Sequence, residues 1–300
     1  MNQIRYILVL FVFILLAFAC GSLLSYPVWK LLQPVSGIPL NKIVSQLTSL
    51  SGLAFIFLYL KFNKILNCET AGFKINQSEI PRDIIIGIFA GIFIMTILVA
   101  VLLLLGTHIA EPELNLTLKF IVIMLLKAIF VGFLVGLIEE ILYRGALFGG
   151  LQKLTDIFTA IIISSLIYSA AHFIKYPELS SNANINWLSG FIITSMAFFR
   201  FDDPAILDSF LALFAFGVLL SLMRLNNSNI YQCIGVHAGV VMAIKIINDL
   251  TDYNPDNNFD FLINSYDHLL GYLAVIWLTF LIILYYKFLL KQSPAPSMES

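Results

Sequence analysis

The sequence predicts an all-α, polytopic membrane protein with about eight transmembrane helices, and three observations predict it. Of the 300 residues, 60% are hydrophobic and only 12% charged, where soluble domains average roughly 45–50% apolar and about 25% charged. Mean hydropathy is +0.93. Apolar runs of about 20 residues, the length of a helix across the hydrocarbon, recur along the whole chain. A net charge of −1 gives no reason to expect a nucleic-acid partner. Cys20, Cys68 and Cys233 are odd in number and scattered, without a CxxC pair, so they support neither a disulfide framework nor a thiolate metal site.

The runs place spans at 6–28, 43–63, 83–107, 118–142, 156–173, 207–223, 229–248 and 269–290. The first follows Arg5 and contains LLAFACGSLL around Cys20, which has the look of a signal segment, but its apolar run continues past the cysteine. Lys61, Lys64, Lys74 and Arg82 lie at and beyond the end of the second span, Lys153 follows the fourth, Arg224 closes the sixth, and Lys287 and Lys291 flank the end of the eighth. These places share one side if both termini are cytoplasmic. The loop 249–268, with Asp249, Asp252, Asp256, Asp260 and Asp267, then falls outside.

The connection 174–206 is too long for a simple turn. Its apolar middle, WLSGFIITSMAFFRF, is too short for a ninth span and reads as an interfacial or re-entrant helix, either covering a cavity mouth or resting on the membrane. The chain divides into N-terminal helices (1–115), a core of spans four to seven (116–250), and an acidic loop, last span and tail (251–300).

Within the fourth span, VGFLVGLIEEILYRGALFGG places Glu139, Glu140 and Arg144 among apolar neighbours. Glu140 and Arg144 are four apart with the acid first, the favoured order for a pair on one helix face. Glu139 points about 100° away and lies outside that pair. A carboxylate in a low-dielectric site moves towards acid–base duty near neutral pH, and intramembrane ionisable groups are functional candidates by default. The alternative is an interhelical polar lock. His172 in SSLIYSAAHF and His237 in CIGVHAGVVM add two imidazoles from two other spans, a set suited to activating a water. His108 and His268 sit at span ends and read as solvated. Gly132–Gly136, Gly145–Gly149, Gly235–Gly239 and Gly87–Gly91 have the GxxxG spacing that lets helices approach closely.

Several classes find no support: the sequence lacks HExxH, GxGD, a Walker phosphate loop and a rhomboid-like Gly-x-Ser facing a histidine. A proton-coupled transporter would use Glu139 and the histidines as a relay, but no internal repeat is visible.

At these residues the sequence resembles the CAAX protease and bacteriocin-processing (Abi) family of intramembrane glutamic endopeptidases, whose motifs are EExxxR, FxxxH and HxxxN. Glu139-Glu140-x-x-x-Arg144 is intact, Tyr168-x-x-x-His172 has Tyr for Phe, and His237 is followed four later by Val241 instead of Asn. The resemblance covers about 118 to 250. It implies an eight-helix core and an endopeptidase in which Glu139 and His172 activate a water while His237 stabilises the oxyanion, with Glu140, Arg144 and Tyr168 in support and Val241 unable to help. It implies a mechanism without a cofactor, although Glu139, His172 and His237 have the chemistry of a three-ligand zinc site. It also implies a peptide or membrane-protein substrate, the lipid bilayer as surroundings and a bacterial plasma membrane. A catalytically silent relative that binds a peptide or partner is the alternative.

One discrepancy in depth arises. With a helix reaching 149, Glu139 lies about 15 Å from its end, whereas His172 lies about 24 Å along a helix entering at 156.

Overall fold

The computed structural model describes residues 2–73, 76–111, 116–180, 184–198, 206–263 and 268–292. Lys74, Asp267 and the stretch 199–205 lie outside them. Each of the eight expected spans is helical: α1 (Asn2–Ser36), α2 (Leu40–Phe62), α3 (Ile80–Leu104), α4 (Leu118–Glu140), α6 (Ile157–His172), α8 (Leu207–Asn227), α9 (Tyr231–Leu250) and α10 (Tyr272–Gln292). Among the described residues six helical runs are long and apolar enough to cross a membrane, and Ile157–His172 and Tyr272–Phe288 are shorter apolar helices. The described residues also include two short α-helices, α5 (Gly149–Leu154) and α7 (Ser189–Phe198). The chain is an integral membrane protein.

The fourth run is longer than the sequence suggested. Between α4 and α5 the backbone continues as a π-helix, Ile141–Phe148, so one apolar run extends from Leu118 to Leu154. Glu139 thus lies 15 residues before the end of its run and His172 15 residues after the start of α6. α6 begins at Asp156, whose carboxylate caps it by accepting from Thr159 N at 2.9 Å and Thr159 Oγ1 at 2.6 Å. Those bonds hold the Asp156 carboxyl below its usual range.

The chain forms two compact units. The first comprises 1–67, 150–160 and 170–204. Here α1 and α2 pack along each other, with Phe13 edge-on to Phe55 and Tyr59 at 6.2 and 5.9 Å. Gly21 lies against the Thr48 backbone, where a Cβ would come within 2.7 Å. Leu40, Val44 and Ile193 form a buried cluster with Trp29, Tyr176, Leu179 and Ile185 around it.

The second unit comprises 68–149, 161–169 and 205–300, and α9 is its centre. The GxxxG pairs meet there. Gly87 and Gly91 of α3 lie against the Gly235 Cα and the Val240 amide, and Gly235 and Gly239 lie against α3 in return. A Cβ on any of these four would collide with backbone of the opposite helix. On the other side Gly132 and Gly136 of α4 face Met242, Ala238 and the Ile234 carbonyl. α3, grouped with the first two spans in the sequence reading, thus packs on the helix that carries His237. Close approach of this kind supplies the van der Waals contact that holds helices together in lipid.

A turn at 68–73 is keyed into the same unit. Its Thr70 and Ala71 carbonyls rest on Gly149 and Gly145. Arg224, 5% exposed, donates from Nη2 to the Thr70 carbonyl at 3.2 Å and more weakly to that of Glu69 at 3.4 Å. Gly72, at φ +75°, sits so close to this guanidinium that a Cβ would fall 2.7 Å from Nε. Arg224, counted above as a charge flanking the membrane, is therefore a buried clamp.

The loops of this unit depart furthest from the sequence expectation. Among the described residues the only strands are β1 (His108–Ala110) and β2 (Thr251–Tyr253), paired antiparallel with His108 opposite Tyr253. His108 is buried, not solvated. Its Nε2 donates to the His268 carbonyl at 2.7 Å, and its Nδ1 lies 3.1 Å from Thr251 Oγ1. His268 stacks on Tyr253 with centroids 4.0 Å apart and is itself half-buried. The expectation failed because partners 143 and 160 residues away complete the ring's hydrogen bonds.

Candidate active site

The charged cluster starts from the helical spacing of α4. Glu140 is the last α-helical residue before the π segment, and Arg144 one turn later reaches back to it, Nη1 to Oε1 at 2.9 Å. Both side chains are almost completely shielded, at 2% and 0% exposure. The expected pair therefore forms. The guanidinium also donates from Nη2 to the Gly217 carbonyl of α8 at 3.3 Å and lies over the Tyr168 ring, 4.4 Å from its centroid. A buried cation is tolerable only with such compensation, and here a carboxylate, a carbonyl dipole and an aromatic face supply it.

Glu140 has a second partner that spacing did not reveal. His237 Nδ1 lies 2.7 Å from the same Oε1. A carboxylate oxygen accepts, so this geometry assigns the Nδ1 proton to His237. The ring is 3% exposed and is walled by Phe216 at 5.5 Å and Tyr168 at 6.1 Å, both edge-on. Tyr143 in turn meets Tyr168 edge-on at 5.0 Å. Aromatic side chains thus fix the imidazole on one side while Glu140 fixes it on the other. The remaining nitrogen, Nε2, faces Glu139 Oε2 at 3.7 Å. That distance is an ion-pair contact, too long for a direct hydrogen bond.

The structure thus joins Arg144, Glu140, His237 and Glu139 in one chain of contacts through α4, the π segment and α9. Glu139 is partly exposed, with a side-chain exposure of 26%, beside a fully buried Glu140. The two adjacent acids consequently have different environments: one is locked between two cations or donors, the other sits at the accessible end of the chain. Tyr168 belongs to this cluster through its ring. His172 closes α6 one turn beyond Tyr168 and is half-buried. Val241, one turn past His237, is half-buried and apolar.

The three-ligand zinc arrangement of Glu139, His172 and His237 is not assembled. Among the described residues no three His, Cys, Asp or Glu side chains are grouped so that they could hold a metal ion. His237 Nδ1 is committed to Glu140, and no step below runs through a metal. The π-helix and the Glu140–His237 bond are the features that sequence reasoning missed. The first has a weak signal in Gly145 and Gly149, on which the Thr70 and Ala71 carbonyls rest. π segments recur at functional sites.

Residues 120–243, somewhat less than half of the chain, match the family of type II CAAX prenyl endopeptidases described as Rce1-like. The match contains every member of the charged cluster, together with Tyr168 and His172, and it bears out the resemblance read from the three motifs. The family is one of proteases. No curated protein matches, and no solved structure matches.

Proposed function

We propose that this chain, with its Rce1-like segment at 120–243, is an intramembrane endopeptidase that hydrolyses a peptide bond by direct attack of an activated water. The observation that carries the reading is the order of contacts at His237: Glu140 on Nδ1 at 2.7 Å and Glu139 towards Nε2 at 3.7 Å. One carboxylate sets the ring; the other stands at the partly exposed end of the chain of contacts.

In this reading Glu139, assisted by His172, takes a proton from water as its oxygen adds to the scissile carbonyl. The carbonyl oxygen becomes an oxyanion. With Nδ1–H already given to Glu140, His237 donates to that oxyanion from Nε2 only as the doubly protonated imidazolium. Collapse breaks the C–N bond, and Glu139 returns its proton to the departing amine. The products are an amine and a carboxylic acid, which releases the second water proton to solvent, and no covalent intermediate forms. Val241 offers no hydrogen bond, which leaves His237 to donate from this part of α9; a missing oxyanion donor costs roughly 10²–10³ in rate. The substrate is a peptide or a membrane-protein segment. Both termini are cytoplasmic, in keeping with the lysine and arginine distribution.

A cleavage assay in liposomes on a fluorescent peptide library tests this, comparing wild type with Glu139→Gln, each with and without chelator. Cleavage by wild type, insensitive to chelator and reduced by roughly 10²–10⁴ in the variant, is the expected result. A variant that cleaves at the wild-type rate removes Glu139 from the mechanism. Silence of both across the library favours the second reading, a non-catalytic protein that binds a peptide or partner, for which Val241 is the specific observation.

A further inference from the structure

The first unit contains a helix whose chemistry points to the hydrocarbon. α7 (Ser189–Phe198) is 10 residues long, about 15 Å, half of what a span requires. No residue from 184 to 198 is charged. Its inner face is small and polar: Ser189, Gly190, Thr194 and Ala197 are buried with Ile193. Thr194 Oγ1 and Ser22 Oγ of α1 are 2.7 Å apart, and Ser25 Oγ donates to the Ser22 carbonyl at 2.7 Å. Gly190 lies directly against that carbonyl and that hydroxyl. Small residues and a hydroxyl pair form the type of seam that joins helices inside a bilayer. The outer face is the reverse. Leu188 and Ile192 are 65% and 48% exposed, and Phe191, Met196 and Phe198 are exposed with them. The outward polar residue, Ser195, spends its hydroxyl on the Ile192 carbonyl at 2.8 Å. A helix lying on the membrane surface would turn charge or hydrogen-bonding capacity outward; this one turns neither.

Depth is fixed by α1. Arg5 and Lys30 are the charges that bracket its apolar stretch, about 37 Å apart along the axis, with Phe18 close to the midpoint. At the Lys30 end, Tyr26 and Trp29 stack at 6.4 Å, and Trp187 joins Tyr26 at 5.1 Å, an aromatic group of the kind that marks the interface. At the other end of α7, Phe198 meets Phe18 at 4.9 Å. Along α1, Tyr26 and Phe18 differ by about 12 Å. α7 therefore descends beside α1 from the aromatic boundary to the level of the α1 midpoint. Leu23 and Leu24 of α1 are exposed over the same depths, and Leu15 and Leu16 just beyond them.

We propose that α7 is a re-entrant half-helix whose outer face, from Leu188 to Phe198, is solvated by lipid acyl chains down to the middle of the bilayer. The occupant is the hydrocarbon because the face is continuous in depth and character with the exposed leucines of α1.

Spin-label depth measurements on the full chain in liposomes test this. Cys20 and Cys68 are replaced by Ala, and buried Cys233 is retained. Single nitroxides are placed at Leu188, Ile192 and Met196, with Leu23 and Leu31 of α1 as rulers. The expected ratio of collisions with oxygen to collisions with a water-soluble nickel complex rises from Leu188 through Ile192 to Met196, with Met196 above Leu23 and all above Leu31. If Ile192→Cys does not fold, Phe191→Cys samples the same face. Equal access of the nickel complex to all three positions places α7 at the surface and overturns the proposal. Exclusion of both oxygen and nickel means that a protein covers the face, a second copy or another partner, and overturns it as well. A Gly190→Val variant, which would press a side chain onto the Ser22 carbonyl, is expected to lower the ratio at Met196.

Discussion

Two buried histidines of the second unit use their rings in opposite ways. His237 stands in an ionic setting, between Glu140 and Glu139 and one residue removed from the Arg144 guanidinium. His108 stands in a neutral one, between a backbone carbonyl and a threonine hydroxyl. The His268 carbonyl can only accept, so the Nε2 proton is fixed at His108. Thr251 also donates to the Ile247 carbonyl at 3.0 Å, so its hydroxyl proton is shared between two acceptors. In the first case the protein has set up charge that can shift; in the second it has closed a loop with dipoles. A buried imidazole therefore signals chemistry only when its partners are themselves ionisable and one of them is accessible, as Glu139 is.

Substitutions can break this contrast. Arg144→Ala removes the cation from a buried pair and should destabilise the protein by about 3–5 kcal/mol, read as a fall in the thermal midpoint in detergent. Glu140→Gln keeps the shape but leaves the guanidinium without its anion. It should lose both stability and cleavage, whereas Glu139→Gln, at the accessible end, should leave the midpoint unchanged. Gly235→Val forces a side chain into the α3 backbone and should cost about 1–3 kcal/mol by overpacking, without any charge involved. His108→Phe retains the ring but leaves the His268 carbonyl without its donor, at a cost of about 1–3 kcal/mol. If it proves more damaging than Arg144→Ala, the ranking of ionic over dipolar closure is wrong. The smallest effect belongs to Asp156→Ala, an exposed cap. Because the folded protein holds this carboxyl below its unfolded value, its contribution is present at neutral pH and is lost as pH falls through the folded value. The difference in midpoint between wild type and Asp156→Ala should therefore shrink on acidification.

Much of the architecture was legible because helices in lipid declare themselves by length. The eight runs and the Glu140–Arg144 pair needed only local spacing. What stayed hidden was set by distant partners. The bond between Glu140 and His237 spans 97 residues, and nothing in CIGVHAGVVM says which carboxylate its imidazole meets. GTHIAEPE reads as a wet loop until β2 and the His268 carbonyl are brought to it. The GxxxG spacing was visible, but that two such pairs would face each other across α3 and α9 was not. His172 and Tyr168 were found by motif, and the Tyr168 ring proves to be the floor beneath Arg144.

The turn clamped by Arg224 has a practical consequence. Cys68 at its start is exposed, while Cys233 in α9 is completely buried, its Sγ against the Leu220 carbonyl at 3.4 Å. One thiol is open to a polar alkylating reagent in the native protein and the other is sealed within the helix that carries His237. The ratio of their labelling rates is a built-in clock: Cys68 times the reagent, and Cys233 times the opening of the helix pack.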